Sequence, residues 1–211
     1  LAKREGSSLR PPSLEPLRLL LRPLVRLLSA LGLGPNAITA LGCALSLVSA
    51  GLFATGSFRA AGAVMLLGGM FDALDGAVAR ELGRTSGFGA FLDSTLDRVS
   101  ESAILAGLVF AFAAAGRPYA ALAAAAAMAF SLLTSYTRSR AETLGYDCNV
   151  GLLGRAGRVA ILGLSSLAGA PLAGTAVIAA GAAATTVQRV LHVRRLHRVR
   201  LSRGNVRGGG V

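Results

Sequence analysis

Long uncharged runs, separated by short polar breaks, dominate the chain. Four of them are Ala37–Phe58, Ala60–Phe71, Pro118–Thr137 and Val159–Gln188. A bilayer-spanning helix needs about 20 mostly apolar residues, and the first, third and fourth runs supply that outright. Breaks at Gly56–Arg59 and Gly116–Pro118 read as short turns. Together these features predict six helices, at about 37–56, 60–82, 89–115, 118–143, 155–169 and 172–193. The run Val159–Gln188 is 30 residues long, roughly 45 Å as a single helix, against a hydrocarbon core of about 30 Å. The string "LAGAPLAG" around Pro171 therefore predicts a hairpin, with the fifth helix gaining length by starting near Arg155.

Ahead of the first span, "SLEPLRLLLRPLVRLLSAL" (residues 13–31) places Arg18, Arg22 and Arg26 four apart among leucines. That is a basic amphipathic helix, interrupted at Pro23 and suited to the headgroup plane. A helix packed on the protein itself is compatible with the same pattern. "GLGPN" then breaks the chain, and Asn36 is expected to cap the following helix. The expected organisation is an N-terminal segment over 1–34, a membrane domain over 35–196 and a basic, Gly-rich tail over 197–211.

Composition agrees with an all-α integral membrane protein. The chain is 53% hydrophobic and 15% charged, where soluble domains carry about 25% charged residues. Abundant Ala and Gly suit close helix packing in lipid. The net charge of +12 sits next to apolar spans and carries no base-reading motif, so it points to lipid headgroups and topology rather than nucleic acid. With both termini on one side, only Arg59 and Arg117 of the 22 Lys and Arg residues fall at the opposite face. The positive-inside rule then places both termini, and the loops around 83–88 and 144–154, in the cytoplasm of a cell with the protein in its inner membrane. Cys43 and Cys148 have no paired spacing and read as plain thiols. The first apolar run lacks a small-residue cleavage site, so no removable signal peptide is expected.

Against this background four acids stand out: Asp72, Asp75, Asp93 and Asp97. An aspartate inside a span costs about 2.5–3.5 kcal/mol on insertion scales and marks a functional site by default. Asp72 and Asp75 are three apart on the second predicted helix, and Asp93 and Asp97 four apart on the third. The turn "RELGRTSG" (80–87) makes those helices antiparallel, with the acids at similar depth. Four converging carboxylates repel one another, and a hard divalent cation such as Mg²⁺ or Mn²⁺ relieves that repulsion. Gly76, Ala79 and Gly89 lie one turn from the acids and leave room for a ligand, while Arg80 adds a cation at the rim. Metal, small residues and a cation together suit a pyrophosphate. Buried helix–helix ion pairs or a proton relay are the plainer explanations for such acids.

Residues 72–97 read D-x-x-D-G-x-x-A-R-x8-G-x-x-x-D-x-x-x-D. This resembles the signature of the CDP-alcohol phosphotransferase family, integral membrane enzymes of phospholipid synthesis, and the resemblance runs from "PNAIT" (35–39) to about Arg195. It implies a six-helix homodimer with a polar cavity open to the cytoplasm, one or two metal ions on the pyrophosphate of a CDP-lipid, and Asp97 as the base that deprotonates the acceptor hydroxyl. Asn36, Thr39, Asp72, Asp75, Gly76, Ala79, Arg80, Gly89 and Asp93 are then the expected CDP-lipid residues, with the four aspartates as metal ligands.

The cytoplasmic face also carries Arg138, Arg140, Arg155, Arg158 and Arg189. These arginines read either as positive-inside anchors or as a pocket for a phosphate on the acceptor. "FGAFLDSTLDR", "SYTRSRAETLG", "GRAGR" and "TVQRV" resemble stretches of bacterial phosphatidylinositol-phosphate synthases. That likeness implies CDP-diacylglycerol as donor and inositol phosphate as acceptor, held by Ser135, Arg138, Arg155, Arg158 and Arg189. There are two departures from it: Arg138 stands where Lys is usual, and Gly154 and Gly157 stand where acidic residues flank the arginine pair. Glycerol 3-phosphate is the competing acceptor. A metal-ion or proton-coupled transporter is the competing class, but transporters place ionisable groups near the midplane on broken, repeated helices. A non-catalytic membrane scaffold is a third class, with no use for Asp97 beside three metal-ligand acids.

Overall fold

A computed structural model describes residues 34–81 and 86–208, with backbone only at 35, 73–81 and 201–208. The described residues form six α-helices: α1 (Pro35–Ala54), α2 (Phe58–Glu81), α3 (Gly87–Ala114), α4 (Pro118–Thr143), α5 (Arg155–Leu167) and α6 (Pro171–Gly208). The amphipathic helix expected over 13–31 lies outside the described residues.

Pro and Gly set most of the boundaries. Pro35 and Pro118 stand at the first positions of α1 and α4, where a fixed φ favours helix and the missing N–H costs nothing. Pro171 opens α6, so the 30-residue apolar run does break there. At the other ends, Gly56 (φ +80°) closes α1. Its N–H donates to Phe53 O at 3.0 Å, and the next N–H, of Ser57, donates to Leu52 O at 2.9 Å. This pairing satisfies carbonyls that a helix end leaves bare, and it needs a left-handed residue that only glycine adopts cheaply. The same geometry recurs at Gly116, Gly145 and Gly169.

Asn36 is not the cap expected of it. Gly34 occupies that position without a side-chain bond, because Pro35 claims the first helical position and moves Asn36 into the first turn.

The helices close into a ring. α1 packs on α2 and α3, α3 on α4, α4 on α6, α6 on α5, and α5 back on α2. Phe53, Met65, Leu105, Leu108, Phe112 and Leu162 belong to a core at the end of the ring that holds the Gly56 and Gly116 turns. Glycine permits the closest crossing. A Cβ on Gly107 of α3 would stand 2.4 Å from Ala50 O of α1, so small residues let these backbones touch. The apolar core plugs one end, and the ring opens at the other, where α2 ends and α3 begins.

Three of the six helices, α1, α4 and α6, are long and apolar enough to cross a membrane. α2 and α3 are 24 and 28 residues long but are interrupted by the acids and their neighbouring charges. α5 has 13 residues, about 20 Å, and is shorter than a full span. α6 continues to Gly208, beyond the expected end near 193. The Arg-, Leu- and Val-rich sequence that follows contains no proline to stop it.

Candidate active site

Ser86 starts α3 by accepting a hydrogen bond from Gly89 N at 2.9 Å, a standard N-cap contact. That start sets the register in which Asp93 and Asp97 face across to Asp72 on α2. One carboxylate oxygen from each of the three lies within 4.8 Å of the others. The side chains of Asp75, Gly76, Ala79 and Arg80 lie outside the described residues, although α2 runs through all four. Asn36 stands beside the start of α3, its Oδ1 being 3.4 Å from where a Cβ on Gly89 would sit. Thr39 is buried and lines a narrow pocket between the helices with Asp72, Asp97 and Arg155.

Arg155 begins α5 and reaches into the acids. Its Nη1 donates to Asp72 Oδ2 and lies 2.9 Å from Asp97 Oδ1. Its Nε is buried with no hydrogen-bond partner among the described residues.

Beyond Asp97 the ring opens into a polar cavity of about 560 Å³, walled by α3, α4, α5 and α6. Ser135, Arg138, Arg155, Arg158 and Arg189 all line it, as do Asp93 and Asp97. The fold thus brings together five residues spread over 55 positions. Arg138 donates to Glu142 Oε1 at 2.8 Å and to Asn149 Oδ1 at 2.9 Å. Arg158, only 2% exposed, is clamped by Glu101. Arg189 is buried, and its partners are carbonyls: Val150 O at 2.9 Å and Thr134 O. Of the five cavity arginines, Arg98 and Arg189 have no carboxylate ion pair among the described residues, and only Arg189 of these two is buried. Burying an unpaired charge is expensive. The loop between α4 and α5 is pinned over the cavity because Leu152 N and Leu153 N donate to Gln188 Oε1 (3.1 Å) and Thr185 Oγ1 (3.0 Å) of α6.

Residues 33–198 match the family model for CDP-alcohol phosphatidyltransferase. The chain belongs to that family. This transferase is 36% identical over 183 residues to the archaetidylinositol phosphate synthase of Methanothermobacter thermautotrophicus, covering 82% of the present chain and 91% of the relative. It is 41% identical over 155 residues to the phosphatidylinositol phosphate synthase of Mycobacteroides abscessus, covering 72% and 68%. The crystal structure of the Mycobacterium tuberculosis phosphatidylinositol phosphate synthase in complex with manganese and citrate superposes with a TM-score of 0.75 at 33% identity, covering 81% of this chain and 87% of that one. The same synthase with CDP-DAG bound also gives 0.75, covering 83% and 94%.

The protein is a membrane-bound CDP-alcohol phosphatidyltransferase and uses a divalent cation. The donor set of this chain fits that metal: the cluster offers carboxylate oxygens only, the hard ligands that Mg²⁺ and Mn²⁺ prefer.

Reading the sequence for acids at the membrane face overlooked Glu101. It follows Asp97 by four residues on α3, continuing the spacing of Asp93 and Asp97, and it lines both the narrow pocket and the cavity. The repeated four-residue step was the signal that could have found it.

Proposed function

We propose that this enzyme transfers a phosphatidyl group from CDP-diacylglycerol to a hydroxyl of inositol phosphate, giving phosphatidylinositol phosphate and CMP. The observation that carries this reading is the position of Asp97. It belongs to the acid cluster and also to the wall of the arginine-lined cavity. A group there touches both a donor held by the acids and an acceptor held by the arginines. The relatives from Methanothermobacter and Mycobacteroides are synthases of different lipids that share inositol phosphate, which supports the same acceptor here.

Asp72, Asp75, Asp93 and Asp97 would hold one or two Mg²⁺ or Mn²⁺ ions, which when bound neutralise pyrophosphate oxygens. Asn36, Thr39, Gly76, Ala79, Arg80 and Gly89 would shape the CDP-lipid site. A carboxylate oxygen of Asp97 takes the proton from the acceptor hydroxyl as the hydroxyl oxygen attacks the β-phosphorus; the bond from that phosphorus to the bridging oxygen breaks, and CMP leaves with the bridging oxygen. Ser135, Arg138, Arg155, Arg158 and Arg189 hold the acceptor phosphate in the cavity. Arg189, held by carbonyls and with no carboxylate ion pair among the described residues, favours an anionic ligand at this place over simple anchoring.

All six helices are embedded in the inner membrane in this reading. Both termini and the cavity mouth face the cytoplasm. α5, too short to span alone, is completed by the loop that precedes it. The enzyme acts as a homodimer, as the family resemblance implies.

The deciding experiment is CMP release from CDP-diacylglycerol by purified protein, with Mg²⁺ or Mn²⁺, across inositol phosphate, glycerol 3-phosphate and free inositol. Release that is fastest with inositol phosphate is the expected result. Equal or faster release with glycerol 3-phosphate overturns the acceptor assignment.

A further inference from the structure

We propose that Glu101 is a positioning residue for the acceptor: it fixes Arg158 so that the guanidinium presents two N–H groups to the acceptor phosphate. The proposal rests on the acceptor-phosphate reading above and deepens it.

A guanidinium has five N–H donors. In Arg158, Nε donates to Glu101 Oε1 at 2.5 Å and Nη2 to Glu101 Oε2 at 2.8 Å. Nη1 donates to Leu153 O at 3.2 Å. Three donors are therefore committed, and one remains on each of Nη1 and Nη2. Those two nitrogens form the outer edge of the guanidinium, the edge whose parallel N–H groups match two oxygens of a phosphate. With its Nε edge gripped by a side chain only 12% exposed itself, Arg158 cannot swing to offer a different edge. The carboxylate also compensates the burial of Arg158, 98% of whose surface is covered.

Position matters as much as pairing. α5 lacks the acidic neighbours that could orient its arginines, having Gly154 and Gly157 at those places. The carboxylate comes instead from α3, one turn beyond Asp97. One helix thus carries both the base of the transfer and the brace for the acceptor site, so the distance between them is set by a single rigid turn. Lining both the narrow pocket and the cavity, Glu101 stands between the donor and acceptor halves.

The test uses full-length protein in detergent, with Mg²⁺, CDP-diacylglycerol and inositol phosphate. Glu101→Gln keeps the volume and one acceptor oxygen but loses the charge. It should raise the KM for inositol phosphate roughly tenfold, the lower end for a lost charge-assisted contact, and leave the KM for CDP-diacylglycerol within about twofold. Glu101→Asp, which keeps the charge, should recover most of that loss. A purely structural role would lower the melting temperature and active fraction of Glu101→Gln without separating the two KM values, and that result overturns the proposal.

Breaking a buried pair can prevent folding, so the doubly neutral variant Glu101→Gln with Arg158→Gln is measured beside Arg158→Gln alone. Equal acceptor KM values for the two support action through Arg158. A double variant distinctly worse than Arg158→Gln overturns it. If Arg158→Gln itself leaves the acceptor KM unchanged, the acceptor-phosphate reading falls and the positioning role with it. If Arg158→Gln raises that KM while Glu101→Gln does not, only the positioning role falls.

Discussion

Arg155 Nη1 lies 2.9 Å from Asp97 Oδ1 and also donates to Asp72, so one guanidinium bridges the two acid-bearing helices. It is the internal counter-ion of a cluster whose carboxylates would otherwise repel one another across a few ångströms. Any cation that binds these oxygens competes with it. Replacing Arg155 by Gln should therefore tighten Mn²⁺ binding to substrate-free protein, by roughly tenfold if one screened charge contact is relieved. Titration followed by the electron paramagnetic resonance of free Mn²⁺ measures this without turnover. Unchanged or weaker binding would mean that the guanidinium helps to build the metal site.

Metal removal should silence the enzyme completely. A cluster of carboxylates cannot receive a pyrophosphate unless its charge is offset. Chelation should abolish CMP release, and Mg²⁺ or Mn²⁺ should restore it in proportion to site occupancy. Full activity in excess chelator would refute a metal-dependent reaction at these acids.

Asp97→Asn should lower kcat by about 10²–10⁴-fold, the usual contribution of a positioned base. CDP-diacylglycerol binding should be largely retained, because holding the nucleotide does not require proton removal. Asp72→Asn and Asp75→Asn should weaken donor binding as well as turnover. Single-turnover kinetics and equilibrium binding of the CDP-lipid separate these effects, and near wild-type turnover of Asp97→Asn would require another base.

Arg189→Gln should raise the acceptor KM by about ten- to hundredfold, from a lost charge-assisted contact of roughly 1.5–3 kcal/mol. The CDP-lipid KM should stay put. Removing a buried charge that has no carboxylate ion pair among the described residues should cost the fold little, so the melting temperature in detergent should fall by less than for Arg158→Gln, which strands Glu101. An unchanged acceptor KM would return Arg189 to an anchoring role.

Gly107→Val should destabilise the bundle by about 1–3 kcal/mol through overpacking, since even a Cβ there meets Ala50 O at 2.4 Å. Thermal unfolding in detergent reads the loss. An unperturbed transition would mean that α1 and α3 can separate freely at this crossing.

Most helix boundaries were legible in the sequence because Pro and Gly mark them by local rules. Pro35, Pro118 and Pro171 open helices, while Gly56 and Gly116 close them, and none of these needs tertiary information. The register of Asp93 and Asp97 was legible for the same reason: a spacing of four fixes a shared helix face. The partners of the arginines were not. Arg158 and Glu101 are 57 positions apart, and their meeting depends on α5 packing beside α2 and α6 while α3 faces it across the ring. The cap falls on Gly34 and not on Asn36 because Pro35 demands the first helical position more strongly than Asn36 demands the cap. α6 outruns its apolar sequence because a change from apolar to basic residues ends a membrane run without ending a helix.

The turns at residues 55–57, 115–117 and 168–170 bear on how the chain is made. In the proposed orientation each is the leading tip of a helical hairpin that must be carried through lipid during biosynthesis. Each tip has its terminal carbonyls already bonded to its own N–H groups, so little bare backbone needs hydration in transit. The charge that crosses is also small: Arg59 beside the first tip, Arg117 in the second, and no Lys or Arg in the third. The arginines of the cavity stay behind with the open ends. Insertion can thus proceed as three separate pins driven from one side, and the reactive groups meet only when their trailing ends close up.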